Sequence, residues 1–181
     1  MAVKNSITLV IGGCRSGKSR YALDAANTVP GSRKMFLATS VPEDREMEKR
    51  VIAHQAQRGD DWQTVEVPVN IQDAIAAHAR TADVLLVDCL TLWTANMLAL
   101  EMDEAAMQKC LDQTSEALSR VCCPVFLVTN EVGYGIVPEN TLARRFRDMA
   151  GLVNQHMAKA ADRVVLTVAG IAVTIKPKDG I

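Results

Sequence analysis

The sequence predicts an α/β fold in which a mostly parallel sheet is flanked by helices and has an antiparallel strand at its C-terminal edge. Three observations lead to this prediction. Short apolar runs alternate along the chain with segments of helical periodicity, as in βαβ units. A glycine-rich segment joins the first apolar run, residues 7–11, directly to a helical segment. The last two apolar runs are separated only by Ala169 and Gly170, which predicts a hairpin.

Length and composition narrow the class of protein. A chain of 181 residues is long enough for one well-buried core and short for two, so we expect a single domain over residues 1–181. Lys and Arg number 20 and Asp and Glu number 21, a formal net charge of −1, so we expect no nucleic-acid partner. No apolar run approaches the roughly 20 residues of a membrane span, and the N-terminus lacks the apolar segment of a signal peptide. We therefore expect a cytoplasmic protein with no membrane span.

The five cysteines include no C-x-x-C pair. An odd number without that spacing argues against a disulfide framework and against a zinc site. We expect Cys14, Cys89 and Cys110 to be reduced and mainly to contribute packing.

The segment behind the first strand matches the P-loop pattern G-x-x-x-x-G-K-[ST]. In such a loop, backbone N–H groups and a helix N-terminus surround a phosphate chain, the lysine reaches the β- and γ-phosphates, and the hydroxyl ligates Mg²⁺. Here Lys18 and Ser19 take these two roles. The alternative is a glycine-rich turn that merely joins a strand to a helix. The motif predicts a RecA-like P-loop domain whose phosphate-binding residues are Gly12, Gly13, Cys14, Arg15, Ser16, Gly17, Lys18 and Ser19.

The second strand, predicted at residues 34–38, ends at two hydroxyl residues, Thr39 and Ser40. Open parallel sheets bind ligands at the carboxyl ends of their strands, so both residues belong to the same edge as the P-loop. We expect them either to hydrogen-bond a nucleotide or substrate or to cap a helix.

A helix is predicted from Pro42 to about Arg58, with acidic residues in its first turn and Gly59 behind it. Arg50, His54 and Arg58 follow one another at intervals of four and form one column. Two guanidinium groups beside an imidazole favour its uncharged form and attract phosphate. A solvated charged face with an incidental histidine is the other interpretation of the same spacing.

A second acidic candidate follows a buried strand. Four apolar residues at 84–87 end in Asp88, the Walker B arrangement, which places a carboxylate beside the P-loop. Asp88 would act on Mg²⁺ directly or through bound water, unless it caps the helix that begins near Leu90.

Between the predicted helix that ends near Arg58 and the strand that ends in Asp88, residues 61–67 alternate as a strand in which Glu66 faces either the site or water. Residues 71–78 then form a short helix.

The remaining elements complete the α/β pattern. We predict an outer helix at about 103–120 and a buried strand at 124–128, followed by a long loop from Thr129 to Asn140 on the nucleotide edge. A helix follows at about 138–161, and strands at 163–168 and 171–176 form the hairpin, so at least one edge strand is antiparallel.

These motifs exclude a regulatory GTPase, because Asp88 is followed by Cys-Leu-Thr rather than a D-x-x-G segment and no N-K-x-D occurs. A small-molecule kinase of the P-loop type remains open. So does a nucleotide-binding regulatory module without chemistry of its own.

Nearly the whole chain, residues 7–176, resembles the bifunctional adenosylcobinamide kinase / adenosylcobinamide-phosphate guanylyltransferases of cobalamin biosynthesis. The P-loop with Arg20 and the segment around Arg50 and His54 contribute to the resemblance. Its most specific part is the block that runs from T-N-E-V-G at 129–133 to N-Q at 154–155.

The resemblance implies two reactions. ATP or GTP phosphorylates the aminopropanol hydroxyl of adenosylcobinamide; GTP then gives GMP to a histidine, releasing pyrophosphate, and the histidine passes GMP to adenosylcobinamide phosphate. That histidine falls at His54, although relatives often carry two adjacent histidines where this chain has Ala53 and His54. The family also implies a homotrimer. Its guanine-nucleotide contacts correspond to Thr39, Ser40, Val41, Gln55, Ala56, Gln57, Arg58, Glu66 and Asp88.

Overall fold

The computed structural model describes residues 6–41 and 58–177. In these two segments, seven strands alternate with five helices. The strands are β1 Ile7–Gly12, β2 Lys34–Ala38, β3 Trp62–Glu66, β4 Val84–Asp88, β5 Val125–Asn130, β6 Arg163–Val168 and β7 Ile171–Lys176. The helices are α1 Lys18–Asn27, α2 Ile71–His78, α3 Leu90–Ala99, α4 Glu104–Ser119 and α5 Thr141–Ala160. Residues 42–57 lie outside the described residues. They cover the helix predicted for residues 42–58 except for Arg58, and they include Arg50, His54, Gln55, Ala56 and Gln57.

The seven strands form one sheet in the order β3-β2-β4-β5-β1-β6-β7. The first six are mutually parallel, and β7 pairs antiparallel with β6 at the edge. The predicted fold class is therefore confirmed. Because the order places β5 between β1 and β4, the carboxyl ends of the strands that carry the P-loop and Asp88 lie on either side of the end of β5.

Both faces of the sheet are buried, as expected for parallel strands made of nearly continuous apolar runs. One face packs Leu9, Leu85 and Leu127 under the helices α2 to α5. The other packs Val10, Leu86 and Val128 under α1 through Ala22 and Ala26. Small residues on α1 let that helix approach the strands whose carboxyl ends carry the P-loop and Asp88. No helix of the described segments is long and apolar enough to cross a membrane.

Two predicted boundaries shift by more than one residue. β5 continues through Thr129 to Asn130, because these residues pair with Ile11 and Gly12 of β1. α5 begins at Thr141 rather than near Pro138, because the side chain of Asn140 accepts a hydrogen bond from the N–H of Ala143 at 3.1 Å and caps the helix.

The cysteines differ in part from expectation. All five are free, and Cys110 is buried as predicted. Cys14 is exposed on the P-loop, so the prediction that it mainly contributes packing is wrong. Cys89 has a specific role as the N-cap of α3, where its sulfur accepts a long hydrogen bond from the N–H of Leu92 at 3.5 Å.

Candidate nucleotide-binding site

The P-loop connects β1 to α1 in a conformation suited to an anion. Gly17 has a φ of 94° and Arg15 has a φ of 55°, so two residues of the loop lie in the left-handed region. Loops that combine right- and left-handed residues turn successive backbone N–H groups into a concave anion-binding nest. Because α1 begins at Lys18, the positive end of its dipole adds to that nest.

Close packing explains the first glycine of the motif. A Cβ atom on Gly12 would lie 2.6 Å from the carbonyl oxygen of Thr167, closer than real Cβ atoms come. The ammonium group of Lys18 turns back over the loop and donates to the carbonyl oxygen of Gly13 at 3.1 Å. The lysine that is expected to reach phosphate therefore already lies across the loop.

A cavity of about 300 Å³ opens beside the P-loop, between α1 and the sheet. Ser19 and Asp88 both line it, so the hydroxyl and the carboxylate expected to act on Mg²⁺ share one space. Asp88 is also not the cap of α3, because Cys89 occupies that position. The other residues of the lining are Arg20, Leu23, Asp24, Phe36, Arg58 and Leu86.

Arg58 brings a positive charge into this cavity. Its guanidinium carbon lies 3.6 Å from the centre of the Phe36 ring, a cation–π contact, and the residue is 9% exposed. Burial lowers the pKa of Arg58, and the negative charge of Asp88 partly opposes that shift. An arginine remains protonated under these conditions, so the cavity holds a fixed cation near the Walker B carboxylate.

Thr39 holds two strand ends together. Its side chain is fully buried, donates to the carbonyl oxygen of Cys89 at 2.7 Å and accepts from the N–H of Cys89 at 2.8 Å. Its carbonyl oxygen accepts from the amide of Asn96 at 2.8 Å. The Thr39 side chain thus joins the end of β2 to Cys89, just after β4, and its role toward a nucleotide stays a prediction.

Three other residues predicted to bind a nucleotide at this edge of the sheet lie outside the cavity. Ser40 is half-buried and Val41 is 44% exposed. Glu66 ends β3, pairs in register with Ala38 and is exposed, so it faces water in the isolated chain. None of these three lines the cavity described above.

The end of β5 is fixed by a chain of polar contacts. Thr129 donates to the side-chain oxygen of Asn154 at 2.6 Å, and the amide of Asn154 donates to the carbonyl oxygen of Asn130 at 3.1 Å. The hydroxyl of Thr91 accepts from the N–H of Asn130 at 2.7 Å. These contacts fix the end of β5, from which the loop of residues 131–140 begins.

Sequence reasoning missed Thr167. This threonine of β6 is 2% exposed, and its hydroxyl lies 2.8 Å from the hydroxyl of Ser16 on the P-loop. The two residues are 151 positions apart, so only the pairing of β6 with β1 brings them together.

The chain matches a family model described as cobinamide kinase / cobinamide phosphate guanyltransferase over residues 8–175. It is 44% identical over 180 residues to the bifunctional adenosylcobalamin biosynthesis protein CobU of Salmonella typhimurium, covering 93% of this chain and 98% of that one. It is 38% identical over 168 residues to the bifunctional adenosylcobalamin biosynthesis protein CobP of Pseudomonas aeruginosa, covering 93% and 96%.

Among solved structures, the fold is similar to that of the flagellar accessory protein FlaH from Methanocaldococcus jannaschii. The TM-score is 0.55 at 13% sequence identity, and the match covers 97% of this chain and 80% of that one. At this level of identity, the similarity concerns the fold.

Proposed function

The chain belongs to the cobinamide kinase / cobinamide phosphate guanyltransferase family, and from that membership we propose that one nucleotide site at the P-loop serves both reactions. In the second reaction, His54 takes GMP from GTP and passes it to adenosylcobinamide phosphate. The protein is a bifunctional kinase and guanylyltransferase of adenosylcobalamin biosynthesis. The observation that carries the shared site is the cavity beside the P-loop in which Ser19, Arg58 and Asp88 meet.

In the kinase step, the nucleotide is ATP or GTP and the acceptor is the aminopropanol hydroxyl of adenosylcobinamide. The hydroxyl oxygen attacks the γ-phosphorus and releases its proton to the solvent, while the bond from that phosphorus to the β-phosphate oxygen breaks and the nucleoside diphosphate leaves. Lys18 leaves the carbonyl oxygen of Gly13 and binds the β- and γ-phosphates, where negative charge grows on the leaving oxygen. The N–H groups of residues 13–18 hold the phosphate chain in line.

In the guanylyl step, a nitrogen of neutral His54 attacks the α-phosphorus of GTP and pyrophosphate leaves. A phosphate oxygen of adenosylcobinamide phosphate then attacks the same phosphorus and frees the histidine. Arg58 supports this step because its guanidinium lies in the cavity near Asp88, where it can stabilise charge on the attacked phosphate. On the helix predicted for residues 42–58, Arg58 follows His54 by one turn, and a cation at that position favours the uncharged, nucleophilic imidazole.

The residues of the cavity suit Mg²⁺. Ser19 contributes a hydroxyl oxygen and Asp88 a carboxylate oxygen, and Mg²⁺ binds through oxygen ligands and nucleotide phosphates. When bound, the ion would neutralise charge on the phosphates of the nucleotide.

Two further features belong to this proposal. The family resemblance supports a homotrimer, which sedimentation velocity of the purified protein measures directly. We place the protein in the cytoplasm, where ATP and GTP are available to both reactions, and cell fractionation tests that placement.

The experiment that tests the proposal is incubation of the protein with α-labelled GTP and Mg²⁺ in the absence of corrinoid. We expect one stable protein-bound GMP on His54, labile to acid and resistant to base as a phosphoramidate. His54→Ala should abolish the label and leave phosphorylation of adenosylcobinamide within about twofold of the wild type, because Lys18, Ser19 and Asp88 remain.

The matched controls are the other two histidines. His78 ends α2, and His156 lies on α5 with its ring nitrogen 3.7 Å from a carboxylate oxygen of Asp112. His78→Ala and His156→Ala should retain the label. A label that persists in His54→Ala, or that disappears with either control, contradicts the assignment of His54.

A further inference from the structure

The β6–β7 hairpin packs directly against the P-loop. Thr167 of β6 pairs in register with Gly12, the last residue of β1. At the turn of the hairpin, the N–H of Gly170 donates to the carbonyl oxygen of Ser16 at 2.9 Å. Gly170 also approaches Gly17 so closely that a Cβ on Gly17 would lie 3.2 Å from its Cα atom. The hairpin therefore contacts the loop at its start, its middle and its end.

Ser16 is the residue through which these contacts act. It is 7% exposed, and the hairpin holds both its hydroxyl, through Thr167, and its carbonyl oxygen, through Gly170. Its neighbours on either side, Arg15 and Gly17, are the two left-handed residues of the loop.

A non-glycine residue at positive φ, such as Arg15, is held there only when its surroundings determine the conformation. The two bonds to Ser16 supply such a constraint one residue away. Without them, the loop would gain access to conformations in which its N–H groups no longer converge on one anion.

We propose that Thr167 is a positioning residue for the nucleotide phosphates: acting through Ser16, it holds the P-loop in its anion-binding conformation. Thr167 is 2% exposed, so it acts without touching the ligand. The inference rests on the proposed function only in taking the P-loop as the phosphate site. Since both reactions use that loop, both respond to Thr167.

The test is Thr167→Val, which removes the hydroxyl and keeps the side-chain shape. We expect the Kd of GTP, and of tripolyphosphate as a phosphate-only probe, to rise about three- to tenfold, in proportion to one hydrogen bond. The KM for nucleotide should rise by a similar factor in both reactions, while the KM for adenosylcobinamide stays unchanged. Thr167→Ser, which restores the hydroxyl, should recover the wild-type Kd.

Thr174→Val is the matched control, because it removes a hydroxyl of the same hairpin that faces Arg163, 2.9 Å away, instead of the P-loop. It should leave the Kd of GTP unchanged. Ser16→Ala should weaken binding as much as Thr167→Val, and the double variant should be no weaker than either single variant.

Each other outcome has a distinct meaning. If the Thr167→Val variant has a lower Tm but, at temperatures below that Tm, binds GTP as tightly as the wild type, the hydroxyl only stabilises the fold and the inference is overturned. Additive losses in the double variant also overturn it, because they show that Thr167 does not act through Ser16. If Lys18→Ala binds GTP as tightly as the wild type, the P-loop is not the phosphate site and the proposed function fails instead.

Discussion

At the scale of single residues, Cys14 offers a direct report on the occupancy of the P-loop. Cys14 and Cys122 are exposed, whereas burial raises the pKa of the Cys89 and Cys123 thiols to about 11. Alkylation needs the thiolate, so a buried thiol gains reactivity only as the pH approaches its raised pKa. At pH 8 we expect iodoacetamide to label Cys14 and Cys122 at least about tenfold faster than the other two.

Bound GTP should then protect Cys14, because we expect the phosphates to bind against the loop that carries it. Cys122 follows α4 and is the internal control, whose labelling rate should not change with GTP. Peptide mass spectrometry measures both rates in one sample. Equal labelling of Cys14 with and without saturating GTP would contradict phosphate binding at this loop.

The residues of the site separate into those that the sequence could predict and those that it could not. That Ser19 and Asp88 share one cavity was predictable, because a local motif identifies each residue and parallel strands bring their carboxyl ends to one edge of the sheet. The hydrogen-bond partners of the Thr39 and Thr167 hydroxyls, Cys89 and Ser16, could not be predicted, because strand register between distant segments sets them. Whether His54 has its predicted role stays a prediction, since it lies outside the described residues.

At the scale of elements, the loop between β5 and α5 combines exposed apolar side chains with a fixed base. Tyr134 is 87% exposed and Ile136 is 96% exposed. At the base, the guanidinium of Arg147 donates to the carbonyl oxygen of Gly133 at 2.6 Å, and that of Arg144 donates to the carbonyl oxygen of Pro138 at 3.0 Å. An apolar tip held by arginines at both ends is suited to contact a large ligand at this edge of the sheet.

We therefore predict that adenosylcobinamide protects this loop from chymotrypsin, which cleaves after Tyr134. Cleavage should slow about fivefold or more at saturating corrinoid and remain at its original rate with GTP added without corrinoid. Tyr134→Ala removes the cleavage site and identifies the band. Cleavage at an unchanged rate with bound corrinoid would show that the loop does not close over this ligand.

The elements also show where sequence patterns suffice. The helix at Ile71–His78 and the two strands of the hairpin have the predicted bounds, because periodicity and a two-residue turn define them locally. The end of β5 was predicted too early. Thr129 and Asn130 look like loop residues, and only their pairing with β1 keeps them in the sheet.

At the scale of the whole molecule, the strand order brings the predicted nucleotide-binding residues of distant segments to one edge of the sheet. β4 and β1 stand on either side of β5, so Asp88 and the P-loop lie one strand apart although some 70 residues separate them in the sequence. The described segments contain one P-loop and one Walker B carboxylate, and both border a single cavity. We therefore expect the described segments to hold the triphosphate chain of a nucleotide at this one place.

That architecture predicts that Lys18→Ala impairs both activities together. The two reactions attack different phosphorus atoms, the γ in the kinase step and the α in the guanylyl step, yet in each the leaving group carries the β-phosphate that Lys18 is expected to bind. Loss of that cation should lower both rates about 10²-fold or more, with little change in Tm because Lys18 makes its observed hydrogen bond within the loop itself.

Lys109→Ala, an exposed lysine on α4, is the control and should leave both rates unchanged. Chromatography can follow the rates at which phosphorylated and guanylylated cobinamide form, and the two rates together distinguish one shared nucleotide site from two. Parallel losses are expected if one triphosphate site feeds both reactions. A variant that still phosphorylates adenosylcobinamide but no longer transfers GMP would require a second nucleotide site, and the single cavity beside the P-loop would then serve only one of the two steps.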